Sequence, residues 1–522
     1  MNKNTLLLLL SLIAIVLIST AVIGWTYHLW MPKIRTSLVY SDSIIGSSPV
    51  LPNDGTYVQW TFLQMNDVYE IMPLNEGKKG GLARVATVRK ELLNENPHTY
   101  TFVAGDLLSP SALSQATVNG SSLNGIQMID VMNSIPIDYM TFGNHEFDLK
   151  KPDLLKRMAE SNFAWISTNV KNLSTNDPFG KAIPYKLITI SNINILIIGL
   201  TIHDNVGSPP YVTIVNGSLL KTFVNTFLST LNVKYDVLVA ITHLDIAQDI
   251  MLAEQVPLFD LIIGGHDHEN YHEIRGEYNT PICKADSNAV SVFIHRLAYN
   301  VDKKLLRIYS TLIKITPDIP DNEQTKAVIE HWYNIGMDAF AADGFQPKEI
   351  VANLPDDVEL DGLSSTIRYG PALLTDYICQ SFLDMTNATV GVFNVGAIRL
   401  DDVLRGTITE YDILRILPYA NIVWKLSVPG SIVAEVLTHG RTLIGNGMYL
   451  ASCGVQSTDN INWFLTSDNK TNISKEPTNF TVATIDYAKT ATGLNDPSVE
   501  LLQTYKLASL GLIQYLKKLY QR

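Results

Sequence analysis

Cysteine is scarce in this chain of 522 residues, which contains only Cys283, Cys379 and Cys453. Three thiols can form at most one internal disulfide, so the sequence excludes a fold held together mainly by disulfide bonds. Basic residues are also few, because 39 lysines and arginines face 51 aspartates and glutamates, for a net charge of -12. A surface that coats a nucleic-acid polymer needs basic stripes. We therefore expect no nucleic-acid polymer as a partner.

Internal repeats are not found, and no low-complexity tract occurs beyond the apolar leader. The chain ends in a basic and polar segment, residues 517–522, so a lipid-anchor signal with an apolar tail is not expected. A length of 522 residues exceeds one ordinary domain, and two or more domains are predicted.

The leader itself is the clearest compositional signal. Residues 6–24 contain no charged side chain, and about twenty apolar residues suffice to span a bilayer as a helix. The apolar run continues to Trp30, so residues 1–30 are predicted to form an uncleaved membrane anchor. A signal peptide cleaved near Ala21 is the alternative. Both interpretations send the rest of the chain through the secretory pathway, as a luminal or extracellular body or as a secreted protein.

Two further features agree with that route. Residues 31–55 are predicted to form a stalk, because the segment is enriched in serine, proline and glycine. Seven Asn-x-Ser/Thr triplets are potential glycosylation acceptors, at Asn119, Asn172, Asn216, Asn387, Asn469, Asn472 and Asn479.

Short apolar runs alternate with longer amphipathic runs from Tyr57 onwards. The predicted strands are residues 58–64, 99–104, 137–142, 194–200, 237–242 and 261–264. The predicted helices between them include residues 82–93 and 126–133. Strands separated by helices predict a layered α/β core.

Most of these strands end in a polar cluster. The clusters are Asn66-Asp67-Val68-Tyr69, Gly105-Asp106, Gly143-Asn144-His145-Glu146, Thr242-His243 and Gly264-Gly265-His266-Asp267-His268. Ligands of layered α/β folds bind at the carboxyl ends of strands. Five strand ends that bring carboxylates, an amide and imidazoles together would form a metal site.

Oxygen and imidazole ligands without thiolate suit divalent zinc, manganese or iron. Asp106 could bridge two such ions, about 3.5–4 Å apart, for an in-line displacement. Two ions polarise a phosphoryl oxygen and lower the pKa of a bound water, which supplies a hydroxide nucleophile near neutral pH. We therefore expect two divalent metal ions, with their identity open.

These motifs resemble those of the calcineurin-like metallophosphoesterases. The variant Gly143-Asn144-His145-Glu146-Phe147-Asp148, with a second domain behind it, is similar to the 5'-nucleotidase and UDP-sugar hydrolase branch. The resemblance implies an α/β architecture: a layered β-sandwich flanked by helices over residues 56–320, and a smaller α/β substrate domain over residues 346–522. A helix over residues 321–345 is predicted to link them.

The resemblance also implies roles for individual residues. One metal would be bound by Asp67, Asp106 and His268, and the second by Asp106, Asn144, His243 and His266. His145 would stabilise the transition state or protonate the leaving oxygen, and Asp148 would orient its imidazole. Tyr69 stands where the family usually has histidine. It could bind a harder ion such as ferric iron as phenolate, or leave its position to water, so a weakened or altered first metal site is expected.

In the second domain, the family resemblance places Arg368 and Arg399 beside the anionic or ribose part of a nucleotide, with Asn394 near the base. Guanidinium groups match phosphate geometry. Tyr419 would supply one of the two rings that sandwich the base. Leu494 falls where the second ring is expected, which would weaken selectivity for a nucleoside.

The predicted function is hydrolysis of a small-molecule phosphate monoester, above all a 5'-nucleotide, to nucleoside and phosphate. One alternative is a catalytically weak relative that binds a ligand or partner. Another is a phosphoesterase that acts on sugar nucleotides, cyclic nucleotides or non-nucleotide esters. The oligomeric state stays open.

Overall fold

The computed structural model describes residues 45–203, 211–215, 217–256, 258–476 and 478–521. The predicted anchor and residues 31–44 of the predicted stalk lie outside these ranges, as does the triplet asparagine Asn216. Within the described ranges, no helix combines the length and the apolar character needed to cross a membrane.

The first domain is built from short strands that alternate with helices. Its strands are β1 (Tyr57–Met65), β2 (Thr99–Ala104), β3 (Thr117–Val118), β4 (Ser121–Ser122), β5 (Tyr139–Thr141), β6 (Ala164–Trp165), β7 (Val170–Asn172), β8 (Tyr185–Ile190), β9 (Ile193–Thr201), β10 (Val212–Ile214), β11 (Val237–His243), β12 (Leu261–Gly265), β13 (Tyr271–Arg275), β14 (Thr280–Lys284), β15 (Ser291–Asn300) and β16 (Leu305–Lys314). Its helices are α1 (Leu82–Glu95), α2 (Ala112–Gln115), α3 (Ile126–Ser134), α4 (Lys151–Glu160), α5 (Leu220–Thr230) and α6 (Ile246–Gln255). Short 3₁₀ helices cover His145–Asp148, Gly217–Leu219 and Ser287–Ala289.

Two six-stranded sheets face each other in this domain. One has the order β16-β15-β1-β2-β5-β6 and the other β13-β14-β12-β11-β9-β8. The central strands β1, β2 and β5 run parallel, as do β9, β11, β12 and β14. The layered β-sandwich flanked by helices that the sequence predicts is therefore confirmed.

Alternating apolar residues explain why both faces of each sheet are covered. On β1, Phe62 faces the core between the sheets, whereas Leu63 faces the core under helices α1 and α3. On β9, Ile197 faces the core between the sheets and Ile198 the core under α5 and α6. A strand that is apolar on both faces must lie in the middle of a layered domain, because only there are both faces removed from water.

Helix α7 (Glu323–Ala342) joins the first domain to the second. The strands of the second domain are β17 (Ile350–Asn353), β18 (Leu360–Asp361), β19 (Val390–Asn394), β20 (Val403–Leu404), β21 (Thr407–Thr409), β22 (Ile422–Pro429), β23 (Leu450–Cys453), β24 (Val455–Gln456), β25 (Phe464–Leu465), β26 (Asn479–Ile485) and β27 (Glu500–Leu507). Its helices are α8 (Ser364–Ile367), α9 (Leu373–Thr386), α10 (Glu410–Ile416), α11 (Gly430–Thr442), α12 (Asp486–Ala491) and α13 (Ala508–Tyr520), with 3₁₀ helices at Val395–Ala397 and Gly493–Asn495.

A five-stranded sheet of order β23-β19-β26-β22-β27 forms the centre of the second domain. Helix α11 covers one face, and helices α9 and α13 cover the other. A disulfide between Cys379 and Cys453 ties α9 to β23, and Cys283 is free and buried in the first domain. One disulfide in a chain with three thiols agrees with the limit set by the sequence.

The predicted strands and helices form at the expected places, with one strand shorter than predicted. Residues 137–142 were expected to be extended, but β5 covers only Tyr139–Thr141. Its partner β2 ends at Ala104, which pairs with Thr141, and Gly105 then turns away with a φ of 82°. The ladder stops because β5 has no neighbour beyond that point.

Candidate active site

The polar clusters meet because their strands end at the same edge of the sandwich. In one sheet, Met65 pairs with Val103, and in the other His243 pairs with Gly265. The loops that follow these strands therefore leave the two sheets side by side, at the carboxyl ends of the parallel strands, where ligands of α/β folds bind.

Four residues of these loops have a left-handed backbone conformation. The φ angles are 51° at Asp67, 54° at Asp106, 83° at His266 and 65° at His268. Such conformations are uncommon for residues other than glycine and cluster at functional sites. Here they turn four potential metal ligands inwards from two sheets.

Glu146 holds two of the loops together. Its carboxylate accepts hydrogen bonds from the backbone N–H groups of Asp106 (3.0 Å), Leu107 (2.7 Å), Leu108 (3.1 Å) and Gly143 (2.6 Å). The side chain is fully buried, and burial, followed by the charge of Asp106, raises its pKa to about 7. No direct role for Glu146 could be derived from the sequence, and only packing or support of neighbouring groups was expected. The structure shows that it joins the loop of Asp106 to the loop of Asn144.

Asp106 lies at the centre of the cluster. Its Oδ2 atom lies 3.2 Å from His243 Nε2 and accepts a hydrogen bond from Tyr69 Oη at 2.9 Å. Its Oδ1 atom accepts one from the backbone N–H of His145 at 2.9 Å. The two carboxylate oxygens therefore point to different places, as a bridging ligand requires.

The remaining predicted ligands surround Asp106. Asn144 Oδ1 lies 3.1 Å from His243 Nε2 and 3.3 Å from His266 Nδ1. On the other side, His268 Nε2 lies 3.4 Å from Asp67 Oδ1 and 3.2 Å from Tyr69 Oη. The structure thus brings all six predicted metal ligands together.

These groups fit divalent cations. Ligand atoms of Asp67, Asp106 and His243 all lie within 4.8 Å of one another, and the buried Asp67 Oδ1 has no hydrogen-bond partner among the described residues. His243 Nδ1 lies 2.8 Å from the carbonyl of Ala104, which directs Nε2 to the cluster. Burial disfavours the imidazolium, yet Asp106 and Asp67 raise the pKa of His243 to about 10. Asp106 and Asp67 therefore favour a positively charged group beside them, at the position of His243.

Tyr69 occupies the position that the resemblance assigns to a histidine. Its side chain is buried, and burial together with the charges of Asp106 and Asp67 raises its pKa well above the ordinary value. Arg399 lies over the Tyr69 ring, 5.4 Å from its centroid, and donates to Tyr69 Oη at 3.4 Å. A buried neutral phenol is a poorer zinc ligand than imidazole, so the predicted first metal site would differ from the predicted second site in its donor set.

His145 and Asp148 form a pair at the mouth of the cluster. His145 Nδ1 lies 2.8 Å from Asp148 Oδ2, which also accepts a hydrogen bond from Ser109 Oγ at 3.2 Å. Both residues belong to the 3₁₀ helix that begins after Asn144, so the same turn carries a predicted metal ligand and the imidazole.

A cavity of about 280 Å³ extends from this pair between the two domains. The first domain lines it with Asp106, Asn144, His145, Asp148, His266 and His268. The second domain lines it with Arg368, Asn394, Gly396, Ala397, Arg399, Tyr419, Asn421, Asn446, Gly447, Met448 and Tyr487. We call this cavity the interdomain cleft.

Known proteins share both halves of this arrangement. The family described as calcineurin-like phosphoesterase matches residues 61–270, and the family described as 5'-nucleotidase, C-terminal domain matches residues 351–495. The chain belongs to the calcineurin-like phosphoesterases of the 5'-nucleotidase type. Members of this family are metal-dependent phosphoric ester hydrolases.

Individual relatives of this phosphoesterase are distant in sequence. The trifunctional nucleotide phosphoesterase protein YfkN of Bacillus subtilis is 25% identical over 80% of the chain and 30% of its own length. The 5'-nucleotidase of Bos taurus is 24% identical over 69% of the chain and 66% of its own length. The chain thus spans less than two thirds of each. A 5'-nucleotidase precursor of Thermus thermophilus has the same fold, with a TM-score of 0.75, 18% identity and coverage of 89% of this chain and 97% of that one.

Leu494 does not lie where the sequence predicted. It is completely buried in the core under α11, among residues such as Val436 and Leu437, and does not line the interdomain cleft. An apolar side chain in the turn after α12 is removed from water by packing inwards. The second ring at the cleft of this phosphoesterase comes from Tyr487, in the first turn of α12, which is 41% exposed.

Two carboxylates beside the predicted metal ligands, Asp245 and Asp401, were not predicted from the sequence. Asp245 Oδ1 lies 3.3 Å from His266 Nε2, and Asp401 Oδ2 lies 2.7 Å from His268 Nδ1. Each contacts the ring nitrogen opposite the one that faces the other predicted metal ligands. Asp401 stands two positions after Arg399 in the sequence, which is the one signal that could have drawn attention to it.

Proposed function

We propose that this protein hydrolyses phosphate monoesters, with 5'-nucleotides as the main substrates, and releases nucleoside and phosphate. The observation that carries the proposal is the interdomain cleft. Four of the six predicted metal ligands and the His145–Asp148 pair line it, together with two arginines and two tyrosine rings of the second domain. The phosphate of a nucleotide would bind at the predicted metal ligands, and its base would stack between the two tyrosine rings.

Two divalent ions would be held by the six ligands, with Asp106 shared between them. Bound there, such ions polarise a phosphoryl oxygen and supply hydroxide near neutral pH. The chain's own contribution is to fix the ligands: Glu146 joins their loops, and the Ala104 carbonyl orients the ring of His243.

His145 would donate a proton to the leaving oxygen of the ester or stabilise its charge. Because Asp148 accepts from Nδ1, the opposite ring nitrogen, Nε2, is the atom available to substrate in the cleft.

The second domain would select the substrate. Arg399 is largely buried, and its Nε atom has no hydrogen-bond partner among the described residues. Asn394 is buried at the cleft, and its Oδ1 atom lacks a partner within the same part of the chain. Buried polar atoms without partners are costly, so both side chains suit a polar ligand such as ribose, base or phosphate.

Phosphate release tests the proposal directly. The purified chain supplied with zinc, manganese or iron should release phosphate from AMP. His145→Ala should lower kcat by about 10²- to 10⁴-fold, the usual contribution of general acid catalysis. A folded protein that releases no phosphate with any of these ions would contradict the proposal.

Tyr487 separates a nucleotidase from a general phosphatase. We predict that Tyr487→Ala lowers kcat/KM for AMP roughly 5- to 150-fold, because base stacking worth about 1–3 kcal/mol is lost. Hydrolysis of p-nitrophenyl phosphate, which has no base, should change little. Tyr505→Ala, which alters a tyrosine outside the cleft, serves as the matched control. Equal losses on both substrates would assign Tyr487 no role in base selection.

A catalytically weak relative is the second candidate, and Tyr69 is the observation that favours it. If the buried phenol leaves the first site unable to retain an ion, fewer than two metals per chain should be found by elemental analysis. His145→Ala would then cause no loss of rate.

For the location, we propose the secretory route, with the catalytic body luminal or extracellular, held by the anchor or secreted. A disulfide suits an oxidising compartment. The triplet asparagines Asn119, Asn387, Asn469 and Asn479 are exposed, as glycosylation requires. Digestion with a glycosidase that removes N-linked glycans should reduce the apparent mass.

A further inference from the structure

The ring of His268 is held by different domains at its two nitrogen atoms. Nε2 lies inside the metal cluster, 3.4 Å from Asp67 Oδ1 and 3.2 Å from Tyr69 Oη. Nδ1 lies 2.7 Å from Asp401 Oδ2. His268 follows β12 of the first domain, whereas Asp401 stands between β19 and β20 of the second domain.

Asp401 is a fixed partner rather than a mobile surface group. Its side chain is 6% exposed, and its Oδ1 atom accepts a hydrogen bond from Ser364 Oγ at 3.0 Å. Its backbone is left-handed, with a φ of 44°, which directs the carboxylate towards the first domain. The next residue, Asp402, accepts a backbone hydrogen bond from Gly362 at 3.0 Å.

The contact determines which nitrogen of His268 can bind a metal. A neutral imidazole carries one hydrogen. The Asp401 carboxylate, 2.7 Å from Nδ1 but outside the angle of an aligned hydrogen bond, favours that hydrogen at Nδ1 and leaves the Nε2 lone pair for the ion. His243 meets the same need within the first domain, because its Nδ1 atom faces the Ala104 carbonyl. His268 depends instead on a group that the second domain supplies.

We propose that Asp401 is a positioning residue that orients His268 as a ligand of the first metal site. The second domain then completes the metal site as well as the substrate side of the cleft. The inference deepens the proposed function, since it rests on metal binding by this cluster, but it does not depend on the identity of the ester.

Metal binding without substrate tests the inference. The full chain, stripped with a chelator, is titrated with zinc against a competing chromophoric chelator. The wild-type chain should bind two equivalents. Asp401→Ala should weaken one of them by about 10- to 100-fold, the usual effect of losing such a partner, and leave the other unchanged.

Two variants distinguish positioning from a general structural role. Asp401→Asn keeps the volume and an oxygen that can accept from Nδ1, so it should retain more affinity than Asp401→Ala. Asp357→Ala removes an exposed carboxylate of the same domain outside the cleft and should not change either equivalent. Cobalt provides a second readout, because the visible spectrum of the weakened site should change while that of the other site persists.

Unchanged affinity in Asp401→Ala would overturn the inference. So would equal weakening of both equivalents together with a lower melting temperature of the metal-free chain, which would show a structural role alone. The proposed function can fail separately: a chain that releases no phosphate but loses one zinc equivalent in Asp401→Ala still supports the role of Asp401.

Discussion

At the scale of single residues, the site depends on side chains that do not touch the substrate. Glu146 accepts hydrogen bonds from four backbone N–H groups on two loops, and those loops carry Asp106 and Asn144. A carboxylate has enough lone pairs for all four donors, whereas an amide presents one oxygen and an NH₂ group.

Glu146→Gln should therefore leave buried N–H groups without acceptors. We predict a loss of about 1–3 kcal/mol in the free energy of unfolding, together with weaker metal binding. Urea denaturation measures the first effect and chelator competition the second. Glu330→Gln, on the exposed face of α7, is the matched control and should change neither. If Glu146→Gln matches the control, the two loops do not depend on this carboxylate.

The residues that could be predicted from the sequence lie next to predicted strands, whereas those that could not be predicted act through tertiary contacts. The six predicted metal ligands follow predicted strands, so their convergence could be inferred from the strand pattern. Glu146 and Asp401 act on other loops across tertiary contacts that no local pattern reveals. For the second ring, the resemblance pointed to Leu494, but packing buries that side chain and Tyr487 reaches the cleft instead.

At the scale of elements, the parallel strands determine where the loops emerge, and β14 helps to keep two of these loops together. Lys284 at the end of β14 is completely buried and donates to the carbonyls of Leu244 (2.5 Å) and Gly265 (2.8 Å). Its Nζ atom also lies 2.9 Å from Asp249 Oδ2 on α6 and forms an ion pair with Asp267. One ammonium thus connects the loops that follow β11 and β12. The end of β11 and the loop after β12 carry three of the predicted metal ligands, His243, His266 and His268.

Lys284→Met should leave the buried Asp249 carboxylate without its partner. The expected destabilisation is about 3–5 kcal/mol, as for other broken buried ion pairs. Adding Asp249→Leu should recover a large part of it, because an apolar pair can replace a buried ion pair. Chemical denaturation of both variants measures these effects. Lys303→Met is the matched control, because that lysine pairs with Asp54 at the surface and should cost under about 1 kcal/mol. A double variant as unstable as Lys284→Met would contradict this account.

Strand prediction succeeded at the element scale because β1, β2, β9, β11 and β12 are short, apolar and bounded by polar clusters. The carboxyl end of β5 could not be predicted, since it is set by where its neighbour β2 ends. The sequence also gave no strand-by-strand prediction for the second domain, where the sheet is assembled from distant segments such as β19, β26 and β22.

At the scale of the whole molecule, the core between the layers holds a histidine that resists protonation. His295 on β15 is completely buried, with its ring nitrogens 2.8 Å from Ser310 Oγ and 2.9 Å from Gln64 Oε1. Burial, with a smaller contribution from His272, lowers its pKa to about 3.

This shift should make the protein less stable in acid. The unfolded chain binds a proton at His295 below about pH 6.5, whereas the folded chain excludes that proton down to about pH 3. Between these values, the free energy of unfolding should rise with pH by up to about 1.36 kcal/mol per unit from this group. Urea denaturation from pH 4 to pH 6 should show a shallower slope in His295→Gln than in the wild type. Equal slopes would mean that His295 titrates alike in both states.

The two domains also share the candidate site, since the predicted metal ligands belong to the first domain and the predicted substrate-binding residues to the second. The sequence predicted this division by resemblance. It could not show that Arg399 contacts Tyr69 and that Asp401 contacts His268, because both contacts depend on how the domains dock.

The central claim is that the cluster around Asp106 holds two divalent ions that act together on a phosphate ester. The most direct measurement is the rate of phosphate release from AMP as metal is added to the metal-free chain. The account predicts a rate that rises steeply only as the second equivalent binds and reaches a plateau at two ions per chain, with Asp106→Asn inactive throughout. A full rate at one equivalent, or activity that persists in Asp106→Asn, would contradict it.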